Sequence, residues 1–308
     1  MRRFVKRFLI TILLLGSFAA IFVYRAVSTL DVESITPDVS MIRGAGGNVG
    51  VLRTARGAVI VDSMTFVMQG RRIREAAERI AGPTQVVINT HYHQDHTHGN
   101  PGFAVGTHVV STRRTRDYLL FFDDAYWQGE RAQTLPNDTF DDQKELQFGD
   151  KTVRLYFAGP GHTGGDLVAL FVEDRVLHAG DLFFNRRYPR VDLAAGGSMP
   201  AWVATLDRVL ELPFDAVIPG HGPPSDRAGL RAYRDFLSDV WEQTSRAVAA
   251  GKTLEQTLAV VDPRYDDGYE NGGVPLLREF DRDSVVSQAW EEASGTVSPQ
   301  EVPSAPAP

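Results

Sequence analysis

The chain of 308 residues contains no cysteine. This absence excludes disulfides, thiolate metal ligands and cysteine nucleophiles together, so a metal site here must be built from histidine, carboxylates and water. A broad basic charge is also missing, since the formal net charge is −7, and we expect no nucleic-acid partner. The remaining composition, 43% hydrophobic and 23% charged, is that of an ordinary globular protein with one or two domains.

The N-terminus carries a membrane-targeting pattern. Four basic residues within the first seven precede an apolar run over residues 8–24. We expect this run to contact the membrane, the basic end to stay cytoplasmic, and the body to be anchored at the inner membrane facing the periplasm or exterior. A signal peptide cleaved near residues 17–19 is the alternative, after which the body would be secreted.

The rest of the chain alternates strand and helix patterns, which predicts a layered α/β protein with helices outside a sheet core. The acidic residues 123–150 predict an irregular insertion or cover. Four parts are expected: an anchor or signal segment (1–29), a catalytic domain (30–225), a C-terminal helical extension (226–295) and a proline-rich, disordered tail (296–308).

A cluster of histidines follows the apolar run of residues 86–88. His91, His93, Asp95 and His96 stand in the pattern H-x-H-x-D-H. Alternating side chains at a strand end can direct His91 and His93 to one side, and the following turn can return Asp95 and His96 to the same place. Imidazole and carboxylate are ligands that divalent ions such as zinc prefer, so the pattern predicts a metal site.

Three later segments supply matching ligands. His162 lies in a glycine-rich loop, Asp181 ends a strand in the sequence HAGD, and His221 ends another in PGHG. With the first cluster they make seven candidate ligands, the number that two ions would share. We predict one ion at His91, His93 and His162, a second at Asp95, His96 and His221, and Asp181 bridging them.

The segments HYHQDH, GPGHTGGD, HAGD and PGHG resemble, in order and approximate spacing, the metal-binding signature of the metallo-β-lactamase-fold hydrolases. The resemblance covers about residues 42–225. It implies an αββα four-layer sandwich, here with a C-terminal helical extension, and two divalent ions, zinc first and iron or manganese as alternatives. Asp62 resembles the structural aspartate of this family, although a strand-end turn residue fits its position equally well.

The bridging aspartate, Asp181, resembles the glyoxalase II, lactonase and phosphodiesterase branches rather than the cysteine-containing β-lactamases. We therefore expect a dinuclear zinc hydrolase in which a metal-bridging hydroxide attacks an ester, thioester, lactone or amide carbonyl of a small molecule, with Asp95 as the catalytic residue that orients this nucleophile. The alternatives are a β-lactam-hydrolysing enzyme and a non-catalytic metal-binding accessory protein of a periplasmic redox system.

Other polar residues near these motifs have weaker roles. Three residues that follow the bridging aspartate are candidates for substrate binding, Asn185, Arg186 and Tyr188, with the arginine holding a substrate anion. The alternative is that they form a solvated loop. His98 is interpreted as an exposed loop residue, and the alternative is a residue that supports the ligands. His178 is interpreted as a residue that is packed or supports the ligands, and neither histidine is expected to bind metal.

Overall fold

The computed structural model describes residues 25, 27–274 and 278–305. The predicted membrane segment, residues 8–24, lies outside this part of the chain. Within it, no helix combines the length and the apolar character needed to cross a bilayer.

Two large β-sheets form the centre of the protein. The first has seven strands, which follow one another in chain order: β1 (Asp31–Ser34), β2 (Val39–Arg43), β3 (Val49–Thr54), β4 (Gly57–Val61), β5 (Thr84–Ile88), β6 (Val109–Thr112) and β7 (Asp138–Phe140). The second has six strands in the order β13-β12-β11-β10-β9-β8: β8 (Gln143–Phe148), β9 (Lys151–Tyr156), β10 (Val168–Phe171), β11 (Val176–Phe184), β12 (Ala216–His221) and β13 (Ser225–Asp226). The first sheet is antiparallel up to β4 and parallel from β4 to β7. The second is antiparallel except for the parallel pair β11 and β12.

Seven α-helices accompany the sheets in the described part of the chain: α1 (Val67–Ala81), α2 (Gln94–Thr97), α3 (Arg113–Phe122), α4 (Met199–Val209), α5 (Arg227–Ala249), α6 (Leu254–Leu258) and α7 (Arg282–Ser294). Local capping explains where several of them begin. Thr112 accepts a hydrogen bond from the Thr115 N–H at the start of α3, and Asp226 accepts one from the Gly229 N–H at the start of α5.

Burial on both faces of the strands produces the layers. In β4, Val59 and Val61 lie in the apolar core between the two sheets, whereas Ala58 and Ile60 lie in a second core beneath α1. A strand covered on both faces reads as a continuous apolar run, as β4 does. The outer face of the second sheet packs against α4, α5 and α7. The expected αββα sandwich is confirmed.

The C-terminal extension, residues 226–295, shares its core with the rest of the protein. Leu237 of α5 and Val286 of α7 are fully or almost fully buried in one cluster with Leu177 of β11. The extension also contains an antiparallel pair of short strands, β14 (Gly272–Val274) and β15 (Arg278–Phe280). The expectation that it consists of helices alone was therefore wrong.

Two expected irregular segments are better ordered than the sequence indicated. Residues 123–150 contain β7, β8 and a 3₁₀ turn (Gly129–Thr134), so the expectation of an irregular insertion was wrong. β8 is an edge strand that exposes alternate polar residues, which made its composition resemble that of a loop. The tail, expected to be disordered, has no helix or strand over residues 296–305, yet the Gln300 N–H donates to the Ala194 carbonyl at 2.9 Å.

Candidate metal centre

The histidine cluster follows β5 and extends into α2. His91 and His93 were expected at the end of this strand. Because β5 ends at Ile88, both histidines belong instead to the following loop. His93 is the N-cap residue of α2, whose single turn includes Asp95 and His96. This tight turn returns Asp95 and His96 toward the histidines that precede it.

Asp181 lies within β11 rather than at its end. The strand continues to Phe184, and its pairing with β12 shifts register on either side of Gly180. Gly180 has a φ of +51°, and a Cβ atom there would lie 2.6 Å from the Thr90 Cβ. This bulge re-aims the side chain of Asp181, which a regular strand would have directed elsewhere.

The structure brings all seven candidate ligands into two adjacent groups, in each of which the ligand atoms lie within 4.8 Å of one another. In the first group, His93 Nδ1 lies 3.1 Å from His91 Nε2 and 2.7 Å from His162 Nε2. In the second, Asp95 Oδ2 lies 3.2 Å from His221 Nε2 and 3.6 Å from His96 Nε2. The first group therefore consists of His91, His93, His162 and Asp181, and the second of Asp95, His96 and His221.

The carboxylate of Asp181 spans the two groups. Its Oδ2 lies 3.4 Å from His162 Nε2 and 3.7 Å from His91 Nε2, in the first group. Its Oδ1 lies 3.2 Å from His96 Nε2 and 3.4 Å from His221 Nε2, in the second. Each oxygen thus faces one group, which is the arrangement that a bridging ligand requires.

The chemistry of these donors fits divalent cations. Among the residues described, His96 Nε2 and Asp181 Oδ1 are buried atoms that have no hydrogen-bond partner. A buried polar group without a partner costs about 1–3 kcal/mol, and a bound cation would offset this cost by accepting both lone pairs. Imidazole and carboxylate donors suit zinc, iron and manganese.

Hydrogen bonds behind the ligands fix which ring nitrogen faces the site. His93 Nε2 donates to Asp192 Oδ2 at 2.8 Å, and His162 Nδ1 donates to the Arg190 carbonyl at 2.6 Å. In each ring the other nitrogen keeps its lone pair and points toward the candidate metal. Tyr92 also donates to Asp192 Oδ2, at 2.6 Å.

Asp62 fixes the orientation of the His96 ring in the same way. Its Oδ2 accepts from His96 Nδ1 at 2.7 Å and from the Thr90 hydroxyl at 2.8 Å, while its Oδ1 accepts from the Thr90 N–H at 2.8 Å. Because the Thr90 hydroxyl donates to Asp62, it can accept from His91 Nδ1, 3.1 Å away. Of the two interpretations of Asp62, this geometry supports the structural aspartate beside the site.

The two groups differ in their electrostatics. Burial lowers the pKa of His91 well below its usual value and that of His162 to about 3. Burial also lowers the pKa of His96 and His221. The carboxylates of Asp181 and Asp95 outweigh this effect, so the pKa of His96 lies well above its usual value and that of His221 rises to about 9. A cation entering the second group must therefore displace protons, whereas His91 and His162 are already neutral.

The other histidines of the motifs stay outside both groups. His178 is buried, and its Nε2 donates to the Asn48 carbonyl at 3.2 Å, as expected for a packed residue. His98 was expected to be exposed, which is wrong: it is buried, donates to Asp123 Oδ2 at 2.6 Å and stacks on the Tyr126 ring with centroids 3.5 Å apart.

The candidate substrate residues have different surroundings. Asn185 Nδ2 donates to the Pro223 carbonyl at 2.9 Å, which steadies the turn after His221. Arg186 is exposed, and its role in substrate binding stays a prediction. The Tyr188 hydroxyl donates to Asp266 Oδ2 at 2.9 Å, so this side chain contacts the C-terminal extension rather than the ligands.

Sequence reasoning missed Asp192. It lies in no motif and is separated from His93 by 99 positions, so no local signal indicates the contact. Burial raises the pKa of its carboxyl, but the hydrogen bond from His93 outweighs this effect and holds the pKa well below its usual value. Asp192 is therefore ionised and can hold the His93 ring in its ligating orientation.

An αββα sandwich that gathers histidine and carboxylate side chains into two adjacent groups is the architecture of a class of metallohydrolases. Residues 42–221 match the family model of the Metallo-beta-lactamase superfamily. The chain belongs to this family.

Several curated proteins are similar to the chain. It is 25% identical over 280 residues to a linear primary-alkylsulfatase of Pseudomonas sp., with 75% of the chain and 52% of the relative covered. It is 26% identical over 258 residues to the 2,4-dinitroanisole O-demethylase subunit alpha of Nocardioides sp., covering 77% and 73%. A type 2 metallo-beta-lactamase of Bacillus cereus is 26% identical over 191 residues, covering 61% and 71%. The chain thus spans about half the length of the alkylsulfatase.

Solved structures share the fold. A metallo-beta-lactamase from Pontibacter korlensis superposes with a TM-score of 0.59 at 22% identity, covering 68% of this chain and 99% of that one. A double mutant of a sec-alkyl sulfatase superposes with a TM-score of 0.62 at 16% identity, covering 85% and 50%. At these identities the likeness establishes the fold alone.

Proposed function

We propose that the protein is a dinuclear zinc-dependent hydrolase that cleaves an ester, thioester, lactone or amide bond of a small molecule. The observation that carries this proposal is the carboxylate of Asp181, which directs Oδ1 to 3.2 Å from His96 Nε2 and Oδ2 to 3.4 Å from His162 Nε2. A carboxylate shared in this way is suited to hold two ions close enough to act on one bond.

The residues of the two groups would hold one ion each, with Asp181 shared. When bound, such ions supply a Lewis acid for a carbonyl oxygen and lower the pKa of water toward neutrality. Asp95 is the ligand carboxylate more open to solvent, with 34% of its side chain exposed against 4% for Asp181. Burial raises the pKa of Asp95, but His96 and His221 outweigh this effect and keep the carboxylate ionised, so it can orient an attacking water by accepting a hydrogen bond from it.

β-Lactam hydrolysis is the second candidate. The similarity to the type 2 metallo-beta-lactamase of Bacillus cereus favours it. Turnover of a chromogenic cephalosporin faster than that of every ester and lactone would select this candidate over the first. The alkylsulfatase among the relatives adds a primary alkyl sulfate to the substrates that should be assayed.

The test combines elemental analysis with turnover assays on protein purified without added metal. We expect two bound ions and hydrolysis of at least one ester, lactone, thioester or amide. His91→Ala and His162→Ala should lose metal and lower turnover by about 100-fold or more, since loss of an outer partner alone typically costs about 10–100-fold.

His98→Ala is the matched control, because His98 directly follows α2, two residues after His96, and its ring pairs with Asp123 rather than with a ligand. It should keep both ions and its turnover. Full activity in a metal-free preparation would refute the proposal, and two bound ions without turnover on any substrate would favour a metal-binding accessory protein.

A further inference from the structure

Residues 190–199, here called the brace segment, lie between β11 and α4 and include the first residue of α4. They support two ligand histidines. The Arg190 carbonyl accepts from His162 Nδ1 at 2.6 Å, and Asp192 Oδ2 accepts from His93 Nε2 at 2.8 Å. In addition, the Asp192 N–H donates to the His162 carbonyl at 2.8 Å. The orientation of both rings in the first group therefore depends on where this segment lies.

The brace segment has little regular structure of its own. Before α4 begins at Met199 it forms only one 3₁₀ turn, Leu193–Ala195. Its path is tight, because a Cβ atom on Gly197 would lie 2.4 Å from the His162 carbonyl oxygen. Its internal backbone hydrogen bonds lie within residues 192–197, among them one from the Gly196 N–H to the Leu193 carbonyl at 3.2 Å. The position of the segment as a whole therefore depends on the elements that pack against it.

Helix α7 accepts two hydrogen bonds from the backbone of the brace segment. Gln288 Oε1 accepts from the Val191 N–H at 2.5 Å, and Glu292 Oε2 accepts from the Met199 N–H at 2.8 Å. The second bond places a carboxylate at the N-terminus of α4, where the helix dipole favours negative charge. Both bonds fix backbone positions that a purely apolar contact would leave free to slide.

The C-terminal tail adds a third contact. The Gln300 N–H donates to the Ala194 carbonyl at 2.9 Å, in the middle of the 3₁₀ turn. Leu193 is buried in the same apolar cluster as Val286 of α7, and Val297 of the tail packs against that cluster. Helix and tail thus contact the brace segment at both ends and at its centre.

We propose that α7 and the tail, which lie beyond the residues 42–221 that match the family model, position the first metal group through the brace segment. Gln288 and Glu292 are positioning residues: they hold the backbone whose Arg190 carbonyl and Asp192 carboxylate orient His162 and His93. The proposal rests on the metal site of the proposed function. If the extension only covered the second sheet, removing either acceptor would lower stability without a selective effect on one ion.

The variants that separate these two roles are Gln288→Ala, Glu292→Ala and Glu292→Gln, in the full chain. The glutamine keeps an oxygen that can accept from the Met199 N–H. Asp239→Ala is the matched control, because Asp239 of α5 binds Gln243 and Arg264 in the same outer layer and makes no hydrogen bond to the brace segment. The two zinc dissociation constants are measured by chelator competition, and the unfolding temperature is measured on the zinc-free protein.

We expect each alanine variant to weaken one of the two zinc sites about ten-fold, at the lower end of the range for partners outside the ligand set. Glu292→Gln should restore the wild-type constants. Asp239→Ala should lower the unfolding temperature and leave both constants unchanged. In the zinc-free protein, amide hydrogen exchange over residues 190–199 should be faster in the alanine variants than in wild type or Asp239→Ala.

The outcomes separate this inference from the proposed function. If the wild-type protein binds no zinc, the proposed function and the positioning role fall together. If the wild type binds two zinc ions while the Gln288 and Glu292 variants keep both constants and the same exchange rates, the positioning role alone is overturned. Equal weakening of both sites in every variant, including Asp239→Ala, would also overturn it.

Discussion

Asp62→Asn tests how the second metal group is assembled. Asp62 is fully buried, and its two oxygens accept three hydrogen bonds, from the Thr90 N–H and hydroxyl at 2.8 Å each and from His96 Nδ1 at 2.7 Å. The substitution preserves the shape of the side chain but replaces one accepting oxygen by a donating amide nitrogen.

The amide can adopt only one satisfactory orientation. The Thr90 N–H can only donate, so the remaining oxygen must face it, and the NH₂ group then faces His96 Nδ1. His96 can accept this hydrogen bond only if Nδ1 carries no proton, and its remaining proton then stays on Nε2, the atom that faces the second group. Metal binding would force two donors to face each other, at a cost of about 1–3 kcal/mol. At 1.4 kcal/mol per decade this weakens the second site by about 5- to 150-fold.

The two zinc dissociation constants of Asp62→Asn, measured by chelator competition, check this expectation. Asp123→Asn is the control, because Asp123 accepts from His98 Nε2 at 2.6 Å in the same way but His98 is not a ligand. The control should leave both constants unchanged. A second-site constant in Asp62→Asn within two-fold of wild type would show that Asp62 does not set the tautomer of His96.

Two further predictions concern the bulge and pH. Gly180→Ala should destabilise the protein by at least about 1–2 kcal/mol, the cost of a left-handed backbone for a residue with a Cβ, and the clash of this Cβ with Thr90 should displace Asp181. Denaturant unfolding measures the loss of stability, and zinc stoichiometry measures the displacement. Wild-type stability together with two bound ions would contradict the role of the bulge. The pKa of His221 is raised to about 9 and that of His96 lies well above its usual value, so the zinc affinity of the second site should fall by roughly ten-fold per pH unit below each of these pKa values for the proton displaced. The affinity of the first site should vary less, because the pKa of His162 is lowered to about 3. Chelator competition between pH 6 and 9 tests this difference, and equal pH dependence at both sites would refute it.

Local signals in the sequence predicted much of the fold. The alternation of strand and helix patterns predicted the layered α/β class, because each element buries its own apolar face. Helix starts are also set locally: Thr112 caps the first turn of α3, and Asp226 caps that of α5. By contrast, β8 was missed because an edge strand with one face in solvent needs few apolar residues.

The sequence by itself determined which seven side chains form the candidate site. Each stands in a short motif beside a strand or a tight turn, where neighbouring residues fix the local backbone. The tertiary structure decided how these side chains are held. The pairing of His93 with Asp192 across 99 positions, and of the tail with Ala194, depends on how β11, α4 and α7 pack together. A motif determines the geometry of its own few residues. Hydrogen bonds between residues far apart in the chain form only when the layers of the sandwich pack against one another.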